Sequence, residues 1–267
     1  MPFADLRYTP KLYWLHMLVL LVLALAGAMM LFSLASWSSV GGFAAALAKP
    51  TVRFSLLLSV STALVVALAA LLLAVPVAHM LSRTAFRGKS FVEALLMLPL
   101  GLPPVAVGIS ILLLLAGPGS FIERHFKVLF TFRGIIAAQL AVVFPIAVRV
   151  LKSGFDAVDP RYEHVARTLG LSPLSTLIRV TLPMAKHSIY AAFILSFLRA
   201  FGEFGATVTV AGAIPGKTAT LPIAMYLAIG SGRFGEAATL VLLTAAVVVP
   251  LLTLFVALER GGGGRGS

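Results

Sequence analysis

The chain has 267 residues, of which 60% are hydrophobic and 11% are charged, whereas about a quarter of the residues of a soluble domain are charged. It carries a formal charge of +12 and no cysteine, which excludes disulfides, thiolate catalysis and cysteine-based metal sites. The basic residues stand in short loops without a stripe of interleaved aromatic residues, so nucleic acid is not an expected partner. The apolar runs are long enough to cross a bilayer, and they predict an all-α polytopic membrane protein in contact with lipid.

The first apolar run, residues 12–34, follows a short polar start. Because it is longer than the hydrophobic part of a cleaved signal peptide, we predict an uncleaved membrane helix within an N-terminal segment, residues 1–50. Residues 35–51 are expected to form a loop, and the second span covers residues 54–80. The chain is thus predicted to begin with two membrane helices joined by a loop.

The third span, residues 91–116, contains a cluster of helix-breaking residues. Pro99, Gly101, Pro103 and Pro104 lie near its middle. Such residues free backbone groups that neighbouring helices or water must satisfy. Two interpretations follow: a kink that serves only packing, or a broken helix in which Pro103 and Pro104 line a transport pathway.

The fourth span, residues 134–151, is followed by a polar segment, residues 152–186. Within it, Asp159 is a typical N-cap, and Gly170 stands where a helix C-terminus is expected. A second short helix begins at Ser172. We therefore predict two short amphipathic helices joined by a glycine corner. They either rest on lipid headgroups or present a rigid surface to a soluble partner.

The fifth span, residues 188–212, contains two ionisable residues at depth. Arg199 lies about 17 Å into this helix, and Glu203 lies one turn further. Charged groups near the membrane midplane are costly and are therefore candidates for function, although the two can also form an ion pair that only neutralises itself. Glu203 would repel an anion, so we expect it to hold Arg199 or to shape a gate. Gly202 and Gly205 permit close helix approach or a local break.

A predicted loop, residues 213–233, connects to the sixth span, residues 234–258. The start of this loop loosely fits the phosphate-loop pattern, but it follows a membrane span instead of a buried strand, and Pro215 interrupts it. We therefore expect no nucleotide at Lys217 or Thr218. No histidine pair at metal-ligand spacing and no paired carboxylates are evident, so no metal, cofactor or catalytic residue is expected in this chain.

Six predicted spans place both termini on the same side of the membrane. That side carries nearly twice as many Lys and Arg residues as the other, and the positive-inside rule makes it cytoplasmic. The polar segment then lies inside the cell. The glycine-rich end, residues 259–267, is expected to be a flexible tail.

The polar segment resembles the cytoplasmic loop of permease subunits of binding-protein-dependent ABC importers. That loop carries Glu-Ala-Ala, three residues, a glycine, nine residues and then Ile-x-Leu-Pro. Gly170, Leu182 and Pro183 fall at this spacing. The resemblance therefore implies that the segment couples the permease to an ATPase.

The match departs from the motif at its first three positions. His164 stands where the motif has its glutamate, and Val165 and Ala166 stand at its two alanines. Glu163 lies one place earlier and is a candidate substitute. The departure concerns the role of that carboxylate and leaves the helix–glycine–helix shape unchanged.

Further stretches within residues 50–258 resemble one branch of these permeases, the molybdate and sulfate group, and molybdate permeases more closely than sulfate ones. They are FRGKSFVEALLMLPLGLPPVAVG from Phe86, DPRYEHVARTLG from Asp159, RAFGEFGAT from Arg199 and IPGKTATLPIAMY from Ile214. The resemblance implies a permease core over residues 51–258 with the fold of type I ABC importers. It also implies a homodimer, two cytoplasmic ATPase subunits and an external oxyanion-binding protein, in the plasma membrane of a bacterium or an archaeon.

The candidate residues fall into two groups. Those for ATPase coupling are Asp159, Glu163, His164, Ala166, Gly170, Leu182 and Pro183. Those for the translocation pathway and its gate are Pro103, Pro104, Arg199, Gly202, Glu203, Phe204, Gly205 and Thr207.

Alternatives remain at two levels. Within the family, the anion could be sulfate, thiosulfate or tungstate instead of molybdate. Outside it, an ion-coupled secondary transporter would show inverted repeats and paired broken helices, but only the third span looks strongly broken. A membrane-embedded enzyme would need an intramembrane catalytic set, which is not found.

Overall fold

The computed structural model describes residues 10–37, 40–117 and 119–263, so most of the predicted polar start and the end of the predicted tail lie outside the described residues. This described part is helical and contains no strand. The first seven helices are α1 (Pro10–Trp37), α2 (Val40–Ala48), α3 (Pro50–Arg83), α4 (Lys89–Gly101), α5 (Pro104–Ala116), α6 (Phe121–Phe126) and α7 (Phe132–Asp156).

The second half of the chain continues as shorter helices and one long terminal helix. They are α8 (Pro160–Thr168), α9 (Pro173–Thr176), a π-helical turn (Leu177–Thr181), α10 (Leu182–Met184), α11 (Lys186–Phe201), α12 (Gly205–Ala211), α13 (Leu221–Gly230) and α14 (Phe234–Gly263). The all-α prediction is confirmed.

Four helices, α1, α3, α7 and α14, are long and apolar enough to cross a membrane. Two pairs of helices are bent at short breaks, by 109° between α4 and α5 and by 59° between α11 and α12. Taken as one span each, these pairs bring the number of membrane helices to the predicted six. The third span is therefore a broken helix.

The core of the fold is formed by α3, α7 and α11, which pack against one another. One face of α3 contributes small, fully buried residues at helical spacing: Ala63, Ala67, Ala70, Ala74 and Ala78. Small side chains let helix backbones approach closely, which is how helices gain packing contacts inside a membrane. Between α7 and α11, a Cβ atom added to Gly154 would lie only 2.2 Å from the Cβ atom of Ser188.

The first helix lies outside this core. α1 packs against α14, and the rings of Trp37 and Phe234 lie 6.0 Å apart. The large apolar side chains described in α1 are exposed on all sides. A helix that is hydrophobic all round suits a lipid or protein environment and not water.

Predicted connections between the spans contain helices, among them α6 between the third and fourth spans. Residues 35–51 include α2, and residues 213–233 include α13, an apolar helix that is too short to cross the membrane. Pro222 lies in the first turn of α13, where the missing N–H of proline costs nothing. At the end of the chain, α14 continues to Gly263 and so includes the first residues of the predicted tail.

Candidate functional site

The polar segment folds into short helices joined by a glycine corner. The Asp159 side chain accepts a hydrogen bond of 2.9 Å from the backbone N–H of Arg161 and caps α8. Gly170 follows α8 with a φ of +91°, which residues with a Cβ atom rarely adopt. Ser172 caps α9 by accepting a bond of 3.2 Å from the N–H of Ser175. Both helix starts and the corner therefore stand where the sequence pattern predicts them.

The polar segment ends in a π-helical turn instead of a clean break at Pro183. α9 continues into this turn, in which the N–H of Leu182 bonds to the carbonyl group of Leu177. In a regular α-helix the ring of Pro183 would meet the carbonyl group four residues earlier. The wider turn just before Pro183 relieves that contact and leads into α10.

One side of the polar segment is an exposed apolar surface. Its exposed members are Tyr162, Val165, Leu169, Leu174 and Ile178. A groove of about 550 Å³ beside α8 is lined by Tyr162, Val165 and Leu169, among others. His164 is also exposed, whereas Ala166 is buried against the rest of the segment. An exposed apolar surface on a polar segment is typical of a contact with another protein or with a membrane.

Glu163 points away from this surface and binds α3. Its Oε1 atom accepts hydrogen bonds from Arg83 Nε and from Thr181 Oγ1, both at 2.9 Å, and His79 Nε2 lies 3.8 Å from Oε2. Burial alone would raise the pKa of the Glu163 carboxyl. The hydrogen bonds from Arg83 and Thr181 and the charges of Arg83 and His79 outweigh burial and hold the pKa below its usual range. Glu163 is therefore an ionised anchor of α8.

The fifth span breaks between α11 and α12, at Gly202, Glu203 and Phe204. Arg199 Nη1 donates to Glu203 Oε2, and Glu203 Oε1 accepts a bond of 2.9 Å from the N–H of Ala206. The Glu203 side chain is 1% exposed and that of Arg199 is 32% exposed. One carboxylate thus holds the arginine and accepts a hydrogen bond from a free backbone N–H group in the first turn of α12. The expectation that only the third span is broken is wrong, because this side chain stabilises a second break.

The two broken spans meet. α12 packs against α5, and a Cβ atom added to Gly205 would lie 3.0–3.1 Å from atoms of Pro104 and Val105. A Cβ atom added to Gly108 would lie 2.8 Å from the Cα atom of Ala206. The helix breaks after Gly101 and after Phe201 therefore lie side by side, which the separate motifs could not show.

The other candidate gate residues differ in exposure. Gly202 and Pro103 are exposed, and Phe204 is half-buried with its ring 5.2 Å from that of Tyr226. Thr207 is fully buried, and its hydroxyl has no hydrogen-bond partner among the described residues. The open side of the break is consequently the turn that begins at Gly202, not α12 itself.

A structured loop between α5 and α7 is attached to α12. The backbone N–H of Phe130 donates to the carbonyl group of Val210 at 3.1 Å. Glu123 Oε2 accepts bonds of 2.8 and 3.0 Å from the N–H groups of Val128 and Leu129, which holds the loop in shape. The contact between Phe130 and Val210 joins residues that are far apart in the chain, so sequence reasoning could not predict it.

The phosphate-loop pattern has a local structural role. Thr218 Oγ1 accepts a bond of 3.2 Å from the N–H of Ile214 and donates one of 3.3 Å to the carbonyl group of Gly212. Thr218 is buried and Lys217 is exposed. Within the described ranges, no group of three or more His, Asp or Glu side chains could hold a metal ion.

Sequence reasoning also missed several partners of the candidate residues. Arg83 and Thr181 bind Glu163, and Gly108 and Tyr226 contact the broken spans. Arg83 entered the prediction only as one of the charges that orient the chain. Its pairing with a residue 80 positions later has no signature in a single sequence.

Residues 70–260 match the family described as "Binding-protein-dependent transport system inner membrane component". The chain belongs to this family. The resemblance to permease subunits of binding-protein-dependent importers, inferred from the coupling-loop spacing, is therefore confirmed.

Relatives within the family are similar over most of the chain. The chain is 36% identical over 203 residues to the molybdenum transport system permease protein ModB of Haemophilus influenzae, covering 74% of this chain and 88% of the relative. It is 37% identical over 182 residues to ModB of Escherichia coli K12, covering 66% and 80%. It is 40% identical over 162 residues to the molybdate/tungstate permease WtpB of Pyrococcus abyssi, covering 61% and 62%.

Solved structures of transporters share the fold. A chain of a bacterial alginate ABC transporter in complex with a pentasaccharide-bound periplasmic protein aligns with a TM-score of 0.64, covering 97% of this chain and 94% of that chain. An amino acid ABC transporter aligns with a TM-score of 0.51, covering 80% and 93%. The identities of 14% and 18% support the fold alone. The predicted fold of an ABC importer permease is confirmed.

Proposed function

We propose that this chain is the membrane-spanning permease subunit of an ATP-driven oxyanion importer, and that the oxyanion is molybdate. The observation that carries the proposal is the similarity to permeases named for molybdenum transport over most of the chain. The relative named for molybdate and tungstate makes tungstate the second candidate. None of the relatives named above is a sulfate or thiosulfate permease, so those alternatives are not favoured.

ATP hydrolysis belongs to a separate subunit in this proposal. The family is one of membrane components of binding-protein-dependent systems, and this argues for ATP-driven import over ion-coupled transport even though two spans are broken. We expect two copies of the ATPase on the cytoplasmic side, where the positive-inside rule also places both termini. The external partner is an oxyanion-binding protein that selects the anion.

The polar segment is the surface that the ATPase contacts. Gly170 sets the angle between its helices, Asp159 caps the first of them, and the π-helical turn before Leu182 and Pro183 joins the segment to α11. Ala166 and Glu163 face the protein, whereas His164 and the exposed apolar surface face outward. Closure of the ATPases on ATP would move this segment and switch the pathway from inward- to outward-facing.

The paired breaks form the gate. Pro104 from the third span lies beside Gly205 from the fifth, with Pro103 just before it in the chain, and Gly202 and Phe204 complete the turn. Arg199 supplies guanidinium donors that suit a tetrahedral dianion. An unpaired arginine at membrane depth would hold such an anion tightly, whereas the ion pair with Glu203 weakens that attraction. The ion pair therefore favours release of the anion along the pathway over tight binding at Arg199.

The assembly is expected to be a homodimer with the pathway between the two subunits. Lipid-facing placement of the part-exposed Arg199 would cost at least about 2.5 kcal/mol, so this side of the break is expected to face a partner or water. The solved alginate transporter carries a bound periplasmic protein, and the equivalent partner here binds on the outer side of a bacterial or archaeal plasma membrane.

Uptake by proteoliposomes that contain the whole complex tests the proposal. We expect ATP-dependent uptake of radiolabelled molybdate when the binding protein is present, with tungstate as a competitor and excess sulfate without effect. Uptake of sulfate in preference to molybdate would overturn the assignment of the anion. Uptake driven by an ion gradient without ATP would overturn the assignment of the transport class.

A further inference from the structure

A chain of polar contacts leads from the polar segment to the broken third span. It runs through six side chains: Glu163, Arg83, Ser82, Asp156, Lys152 and Glu93. We propose that this chain, the Arg83 relay, carries movement of α8 through α3 and α7 to α4, and that Arg83 and Lys152 are its positioning residues. The inference rests on the proposed function of the polar segment as the ATPase contact.

The relay begins where α8 meets the end of α3. Arg83 Nε donates to Glu163 Oε1 at 2.9 Å, and Arg83 Nη2 donates to the carbonyl group of Val158 at 2.9 Å. Thr181 donates to the same carboxylate oxygen, so one glutamate ties both halves of the polar segment to α3. The side chains of Arg83 and Glu163 are 13% and 14% exposed, where solvent screens an ion pair less than at an open surface.

The relay continues along α7 to α4. Arg83 Nη1 donates to Ser82 Oγ at 3.1 Å, and Ser82 Oγ donates to Asp156 Oδ1 at 2.6 Å. Lys152 Nζ donates to the other Asp156 oxygen at 3.0 Å and lies 3.9 Å from Glu93 Oε1. Glu93 is in α4, the first half of the broken third span, whose second half packs on α12. The contacts therefore connect the ATPase side of the fold with the gate.

The last contact is the one that can change. A separation of 3.9 Å is beyond hydrogen-bond length, and Glu93 Oε1 is buried without a hydrogen-bond partner among the described residues. A buried carboxylate oxygen without such a bond is unfavourable. A small shift of α7 relative to α4 would form or break the bond from Lys152. That gives the relay two arrangements, as transmission between distant sites requires.

The alternative is a simple latch, in which Arg83 only fastens α8 to α3. A latch and a relay differ at Lys152, a residue of α7 that contacts Asp156 and Glu93 but not Arg83 or α8 in the contacts above. If the relay operates, loss of Lys152 uncouples transport although the latch stays intact. If only a latch exists, loss of Lys152 leaves coupling unchanged.

The test compares Lys152→Met with Lys89→Met in the complete complex with its ATPase and binding protein. Lys89 is a matched control, since it lies in α4 and donates to the carbonyl group of Thr84 without joining the relay. The measurements are co-purification of the ATPase and the amount of molybdate transported per ATP hydrolysed. We expect Lys152→Met and Arg83→Gln to retain the ATPase but to lose about 2- to 30-fold in transport per ATP, and Lys89→Met to match the wild type.

A double variant tests whether the two residues act as one unit. Residues in one network are not additive, so Arg83→Gln with Lys152→Met should lose no more coupling than the worse single variant. If Arg83→Gln fails to assemble, we expect the exchanged pair Arg83→Glu with Glu163→Arg to restore assembly. Lys152→Met still tests the relay by itself in that case.

Normal coupling in Lys152→Met, or losses that multiply in the double variant, would overturn the relay. Failure of the exchanged pair to assemble would overturn the pairing on which it begins. A wild-type complex that binds no ATPase would instead overturn the proposed function, so the two failures are distinguishable.

Discussion

Glu203 lowers the free-energy cost of a break in a membrane helix. Its carboxylate binds Arg199 and accepts the N–H of Ala206, so the costs of a buried charge and of a free helix terminus are met together. Glu163 has a comparable role in the polar segment, where its carboxylate accepts hydrogen bonds from both Arg83 and Thr181. Both carboxylates face inward, and their roles follow from their partners.

Replacement of Glu203 by glutamine should change transport while preserving assembly. The amide keeps the shape of the side chain and can still accept the N–H of Ala206, but it leaves the charge of Arg199 unbalanced. We expect slower release of the anion and a lower maximum rate of molybdate uptake by proteoliposomes. Glu236→Gln is the control, since Glu236 pairs with Lys49 and Arg233 far from the break. Equal uptake by both variants and the wild type would show that the charge has no part in transport.

The stability of the fold should depend on pH through Glu163. The pKa of its carboxyl in the folded state lies below the usual glutamate value of 4.5, so the stabilisation by the ionised carboxylate is complete above about pH 4.5 and is lost as the pH falls further. We expect Glu163→Gln to melt at a lower temperature than the wild type at pH 6 in detergent. The difference should shrink below pH 4.5, because the wild-type carboxylate becomes protonated beside Arg83 and His79. A difference that grows on acidification would contradict the assignment.

At the scale of the helices, the polar segment and the paired breaks are each built from two elements that are held together by a direct contact. α8 and the π-helical turn share Glu163, and α5 and α12 share the contact between Pro104 and Gly205. Glycine serves two purposes here. Gly170 supplies a backbone conformation, and Gly205 and Gly108 supply space for close helix contact.

The substitution Gly170→Val should uncouple ATP hydrolysis from transport. A Cβ atom at Gly170 meets nothing within 4 Å in the described structure, so the cost is backbone strain, about 1–2 kcal/mol for a residue with a Cβ atom in the left-handed region. The corner between α8 and α9 should open and misplace the ATPase contact. Transport per ATP hydrolysed is the measurement.

Gly232→Val is the matched control for this substitution. Gly232 has a φ of +71° and equally open surroundings, but it lies between α13 and α14 and not in the polar segment. We expect it to lose similar stability and to keep normal coupling. If both variants couple normally, the polar segment does not dock the ATPase.

At the scale of the whole molecule, the proposed docking surface and the proposed gate belong to one packed unit. α3, α7 and α11 form the core between them, and α4 with α5 and α11 with α12 carry the breaks. α1 and part of α14 lie at the periphery, where their large apolar side chains are exposed. We therefore expect movement of the polar segment to be transmitted through packed helices and not through a flexible linker.

A cysteine at Gly202 should report the state of the gate in the complete complex. Gly202 is exposed and the native chain has no cysteine, so Gly202→Cys is the one thiol in this subunit. We expect it to react with a water-soluble thiol reagent, or to cross-link to the second subunit, at a rate that changes when ATP is trapped. Ala206→Cys is the control, because Ala206 is fully buried against α5 and should stay unreactive. A rate at Gly202→Cys that is the same in every nucleotide state would place the gate elsewhere.

The sequence alone determined the class of the protein, the number of membrane helices, the capped helices of the polar segment and the family. These features depend on local chemistry: apolar runs of membrane length, N-caps at Asp159 and Ser172, and the spacing from Gly170 to Pro183. The conformation of each such stretch is set mainly by residues within a few positions, so one sequence suffices to predict it.

The tertiary structure decided which of the candidate residues act together. Arg83 meets Glu163 across 80 positions, and Gly205 meets Pro104 across two separate spans. The second helix break also depended on folding, since Glu203 stabilises it only when its carboxylate reaches both Arg199 and the first turn of α12. Contacts of this kind arise when helices pack side by side in a membrane, where small residues set the distance and charges find partners, and no local pattern records the pairing.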